Sequence, residues 1–271
     1  LRIESPSFFT LTCLAGLAAA VVFVGFPDLD LAVADLFYFG KRHFLADPSL
    51  LGNVMRQSFR LLFLFAVLVA LFGLGLSVAT GRKLFGFGFP HWLAVVLTLF
   101  IGPGLIANVI FKDNWGRARP FYVEQFGGPQ KFTPALKHSD QCARNCSFVS
   151  GEASSIYAVF FAFAFLIRRR RREIFIAGLA IGTLAGLLRI ASGSHFLSDV
   201  IFAGVFMGLA VRGAFALVFE MSPVTFAEGG KLHCLLHQGV TAASAQVAEA
   251  RRQLLGGGQR IAGRLAASLM L

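Results

Sequence analysis

Apolar residues in this chain gather in blocks of about 20, set apart by short polar stretches. That length matches the roughly 30 Å hydrocarbon core of a bilayer. Six blocks can be delimited: Phe8–Phe26, Leu61–Ala79, His91–Phe111, Ser147–Ile167, Ile174–Leu188 and Phe196–Phe219. The fifth is short unless it extends into its flanks. Backbone facing lipid must satisfy its own hydrogen bonds, so each block is expected to be helical. Gly102-Pro103-Gly104 predicts a kink in the third. The first block is long for a cleaved signal peptide, and Ala18-Ala19-Ala20 lies inside its apolar run, so a retained helix is expected.

Two amphipathic stretches flank this pattern. Asp28–Phe39 mixes Leu29, Leu31, Leu36 and Phe37 with Asp28, Asp30 and Asp35, and fits either a helix on the outer leaflet or one packed on the bundle. Val247–Leu255, with Arg251 and Arg252, reads as a basic surface helix interrupted by Gly256-Gly257-Gly258. The expected fold is therefore all-α: a polytopic six-helix transmembrane bundle with an amphipathic outer-face helix over residues 1–220, then a tail over 221–271.

Composition supports lipid as the main solvent. Of the 271 residues 56% are hydrophobic and only 14% charged, against about a quarter charged in soluble domains. The net charge of +11 does not imply nucleic acid, because no binding module for it is recognisable. Membrane-flanking positives and an anionic substrate account for it. Parity places Arg82, Lys83, the run Arg168–Arg172 and the tail on one side of the bilayer. Five consecutive arginines in one short loop mark that side as cytoplasmic. The loops 27–60, 112–146 and 189–195 then face the periplasm or cell exterior, and the protein is expected in the inner or plasma membrane.

Three polar clusters fall on that outer side. In the first, Lys112 and Arg119 are seven residues apart, two turns if helical, so both cations can meet one point. The second is Ser147-Phe148-Val149-Ser150-Gly151-Glu152 at the start of the fourth block, where Ser150 and Gly151 offer N–H groups to an anion and Ser147 could be a simple N-cap. The third runs from Arg189 to Asp199. His195 and Asp199 are spaced i, i+4, so on a helix the carboxylate can orient the imidazole and make it a nucleophile. Together these are the parts of a phosphoryl-transfer site. A transporter would want ionisable groups near the middle of the bilayer, and here they sit at one face.

In this arrangement the chain resembles the type 2 phosphatidic acid phosphatase superfamily, whose signatures are Lys-(six)-Arg-Pro, Pro-Ser-Gly-His and Ser-Arg-(five)-His-(three)-Asp. The match runs from Lys112 to Asp199 in the family's order and spacing. The resemblance implies that Lys112, Arg119 and Arg189 hold the phosphate and that Ser150 and Gly151 donate hydrogen bonds to it. It implies that His195 forms a phosphohistidine, with Asp199 orienting it. No metal or cofactor is implied, and no metal-ligand cluster is visible. Leu188 replaces the family's serine, and Val149 and Glu152 replace its Pro and His. That His protonates the leaving oxygen. Glu152 can do so only when protonated, so either a bound phosphate dianion pushes its pKa up enough for it to hold a proton or the leaving group needs little help. The substrates implied are lipid A or a related glycolipid phosphate, polyprenyl diphosphate, phosphatidylglycerophosphate and phosphatidate, with the first two favoured. Two other readings stay open: a phosphotransferase that passes the phosphate to a second lipid, and a non-catalytic phospholipid-binding protein.

Cys142 and Cys146 share the second outer loop and are expected to form a disulfide clamping the approach to Ser147; two free thiols are the alternative. Cys13, in the first block, reads as a small buried hydrophobe.

Overall fold

The computed structural model describes residues 6–46 and 50–268, with side chains placed over 8–46 and 52–252. Residues 1–5, 47–49 and 269–271 of the two expected regions lie outside this. The helices are α1 (Pro6–Gly25), α2 (Asp28–Asp35), α3 (Leu50–Thr80), α4 (Phe89–Leu99), α5 (Gly151–Leu166), α6 (Arg171–Ala191), α7 (Leu197–Ala216), α8 (Pro223–Phe226) and α9 (Lys231–Ser268). Five helical stretches are long and apolar enough to span a bilayer, and α5 is a shorter apolar helix of 16 residues. The chain is thus an all-helical, multi-pass membrane protein.

The apolar faces explain the arrangement. Leu11, Leu14 and Leu17 of α1 and Leu61, Phe65, Leu68 and Phe72 of α3 are exposed, as lipid-facing residues must be. Helix α5 carries Ile156, Tyr157, Phe161 and Phe165 buried, and it packs against α3, α4, α6 and α7. It is the centre of the bundle. At 1.5 Å per residue it is about 24 Å long, and short because the non-helical segment 147–150 replaces its expected first turn. Gly178, Gly182 and Gly186 let α6 close on its neighbours: a Cβ at Gly182 would lie 2.4 Å from the Tyr157 ring, and one at Gly186 2.2 Å from Val200. The Tyr157 hydroxyl is paired 3.0 Å from Thr183 Oγ1.

Several expectations are resolved or corrected. The third span changes helix type at Gly102-Pro103-Gly104: α4 continues as a π-helix over Phe100–Lys112 that contains Pro103, and i→i+5 bonding shifts the ladder past the missing N–H. The fifth span does extend into its flanks, as α6 reaches Arg171–Ala191. For α2 the packed alternative is the one seen, since Asp30 and Ala34, one turn apart, are both buried against the bundle. Cys13 is exposed on α1, because the apolar solvent outside suits it as well as a core does. Gly256-Gly257-Gly258 does not interrupt α9, whose backbone stays helical through it. The start of α9 docks on the α3 end, where His233 Nε2 lies 3.0 Å from Ser77 O and His237 Nδ1 lies 2.7 Å from Val78 O.

Candidate active site

One end of the bundle collects the end of the π-helical stretch (Lys112), the starts of α5 (Glu152) and α7 (Asp199), and the end of α6 (Arg189). The arginine run 168–172 lies at the opposite ends of α5 and α6.

His195 is not on a helix. It precedes α7, whose N-cap is Phe196, and Asp199 is the third residue of that helix with its Oδ2 accepting the Phe196 N–H at 2.8 Å. His195 Nδ1 lies 2.7 Å from the carbonyl oxygen of Ser147 and 3.6 Å from Asp199 Oδ2. The expected direct Asp–His bond is therefore replaced by a bond to backbone. The reason is that Asp199 is already occupied: Arg117 Nη1 and Ser147 Oγ both donate to it. A carbonyl can only accept, so Nδ1 carries the proton and Nε2 keeps the lone pair. Nε2 is buried and has no partner among the described residues. Burial pushes the imidazole down to about 4, with Asp199 opposing the shift, so it is neutral at neutral pH.

Behind Asp199 stands a layer that local spacing did not reveal. Arg117 is fully buried, with Nη2 2.7 Å from Asp30 Oδ2, Nη1 bonded to Asp199 and 2.9 Å from Ser198 Oγ, and Nε 2.9 Å from Thr133 O. Its guanidinium also stacks over Phe196, 4.4 Å from the ring centroid. Asp30 accepts the Ser198 N–H at 2.8 Å and the Ser198 hydroxyl besides. Burial raises the Asp30 carboxyl, while Arg117 pulls it back down. The only sequence signal for this layer was weak: an acidic residue one turn from a small one on α2, and an extra arginine between Lys112 and Arg119.

The expected phosphate ligands do meet. Lys112 and Arg119 are not on one helix, because the π-helical stretch ends at Lys112 and residues 113–119 are irregular. Both nonetheless come within electrostatic reach of Glu152 and Arg189. Gly151 makes room for Lys112: a Cβ there would sit 2.6 Å from Nζ. Arg119 Nη2 donates to Asn145 O at 2.8 Å and Oδ1 at 2.9 Å. Asn145 lies in the loop closed by the Cys142–Cys146 disulfide. Arg119 is held below the usual arginine range by burial first and by Arg189 second. Arg189 Nη2 donates to Ser194 Oγ at 2.8 Å, and its Nε is 3.5 Å from Glu152 Oε2. Ser150 is the N-cap of α5 without a side-chain bond; its N–H goes to Asp199 O at 3.1 Å, and its buried Oγ has no partner among the described residues. Ser147 is not the cap, since its hydroxyl serves Asp199 instead.

A cavity of 280 Å³ opens on Arg119, Glu152, Arg189 and Ser194, and a second of 220 Å³ opens on Lys112, Gly151 and Glu152. Such a site can hold a phosphate dianion among cations beside a neutral imidazole.

Comparison with known proteins agrees with this chemistry. Residues 91–222 match the PAP2 superfamily. The lipid A 4′-phosphatase of Francisella tularensis subsp. novicida (strain U112) is 38% identical over 206 residues, covering 74% of this chain and 91% of that protein. The chain belongs to the PAP2 superfamily. The Rhizobium etli lipid A 4′-phosphatase is 33% identical over 68% of this chain and 76% of that protein. The lipid A 1-phosphatase of the same organism is 34% identical over 56% and 58%. No solved structure matches the chain. By class, this PAP2 member is a membrane phosphatase that hydrolyses the phosphate monoester of a lipid.

Proposed function

We propose that this PAP2 protein removes a phosphate from the sugar of a lipid A-type glycolipid, with the 4′ position favoured, through a phosphohistidine on His195. The observation that carries the mechanism is the His195 ring: Nδ1 is tied to the Ser147 carbonyl, and Nε2 is left unpartnered beside the cations. The two 4′-phosphatase relatives support the substrate.

In this reading Lys112, Arg119 and Arg189 hold the phosphate oxygens, with Ser150 and Gly151 at the α5 N-terminus as further donors. Nε2 attacks phosphorus, the P–O bond to the sugar breaks, and the leaving oxygen takes a proton. Glu152 supplies that proton only while the phosphate dianion is bound; before that, its carboxylate pairs with Arg189. Water then attacks the phosphohistidine, releasing inorganic phosphate and restoring the neutral imidazole. Asp199 acts through Ser147, by fixing the carbonyl that orients His195. The arginine run 168–172 supports a cytoplasmic placement for the far end and for the tail from 221 onward. The site would then face the periplasm from the inner membrane.

The test is phosphate release in neutral-detergent micelles from a bisphosphorylated glycolipid, by wild type and His195→Ala. Release by wild type and a fall of about 10⁴-fold or more in the variant are expected. Transfer of the phosphate to a second lipid without free phosphate would replace hydrolysis with the transferase reading. Undiminished release by the variant would remove His195 from the chemistry.

A further inference from the structure

The three signature cations do not account for all the positive charge at this end of the bundle. Arg56 and Arg60 stand on α3, one turn apart and so on one face, outside the stretch 91–222 that matches the family. Arg56 lines both cavities, and Arg60 lines the second. Both side chains are exposed, and neither has an ion pair among the described residues. Arg117, Arg212 and Lys83, by contrast, each face a carboxylate.

Charge counting then points outward. Lys112, Arg119 and Arg189 are enough for one phosphate dianion. Among the described residues, Glu152 is the one acidic residue on the walls of the two cavities. Two cations are left over. Arginines at the edge of an apolar run ordinarily anchor the helix among headgroups. These two share walls with Arg119, Glu152, Arg189 and Lys112, so a substrate held by those residues would lie against them.

We infer that Arg56 and Arg60 form a second anion subsite, which binds a further phosphate or carboxylate of the substrate whose reacting phosphate sits on Lys112, Arg119 and Arg189. This rests on the phosphatase reading above and narrows its substrate class to headgroups bearing two anionic groups. Arginine suits the task because its guanidinium binds phosphate or carboxylate bidentately.

The experiment compares kcat/KM for a bisphosphorylated and a monophosphorylated form of one glycolipid, in neutral-detergent micelles, for wild type and Arg56→Gln/Arg60→Gln. Loss of charge-assisted contacts is expected to lower the preference for the bisphosphorylated form by about 10- to 100-fold, through KM. Single Arg56→Gln and Arg60→Gln variants should each give part of the effect. A preference unchanged within about twofold would overturn the subsite, whether both rates fell, as for general attraction to anionic lipid, or neither did. Absence of phosphate release by wild type from either lipid would instead count against the phosphatase reading. Binding of the two glycolipids to the wild-type protein in the same micelles would still decide the subsite, with equal affinities overturning it.

Discussion

Arg117 and Arg119 are separated by a single residue, yet they belong to different regions of the site. Arg117 is fully buried, and all three of its nitrogens are engaged, between Asp30 and Asp199, with Ser198 and Thr133. Arg119 is held by Asn145 and lines the 280 Å³ cavity. The same guanidinium serves as structure where acceptors enclose it, and on the function proposed above as a receptor where it faces an opening. Burial makes the first role costly to disturb, because removing one partner leaves charges stranded in low dielectric. Solvent at the second position screens the charge until an anion displaces the water.

The contrast can be broken by one pair of variants. Arg117→Met strands the carboxylates of Asp30 and Asp199, and a loss of about 3–5 kcal/mol in stability is expected, read as a lowered thermal midpoint in detergent. Arg119→Met should leave stability within about 1 kcal/mol and raise KM on the order of tenfold or more. Similar losses of thermal midpoint in the two would erase the distinction. A gentler probe is the pH profile of wild type. His195 lies where the two regions meet, and attack needs its neutral form. Its group is lowered to about 4 by burial, so His195 itself should add an acid limb to kcat/KM only towards about 4, below the limb near about 6 that protonation of the substrate's phosphate dianion brings. A His195 imidazole signal that titrates near about pH 6.5 by NMR in the substrate-free protein would mean that the ring is solvated rather than enclosed.

Much of the receptor region was readable in the chain. Lys112, Arg119, Glu152, Arg189 and His195 come to one end of the bundle because apolar blocks of about bilayer length fix which helix ends share a face. The enclosing region was not readable. Asp30 pairs with Arg117, 87 positions away, and with Ser198, 168 positions away, and no local period reports such contacts. The i, i+4 spacing of His195 and Asp199 suggested a direct bond, but the helix starts after His195, and the carboxylate turns to the Phe196 N–H, Ser147 and Arg117.

The sequence by itself determined the solvent, the helices and the end of the bundle where the chemistry gathers, since each follows from hydrophobic length and from charges that must stay out of hydrocarbon. Tertiary structure alone decided which nitrogen of His195 is free, which arginine is buried and which cations stand unpaired. Those depend on the acceptor each group meets across the fold, and the cost of leaving a buried polar group without one selects a single answer.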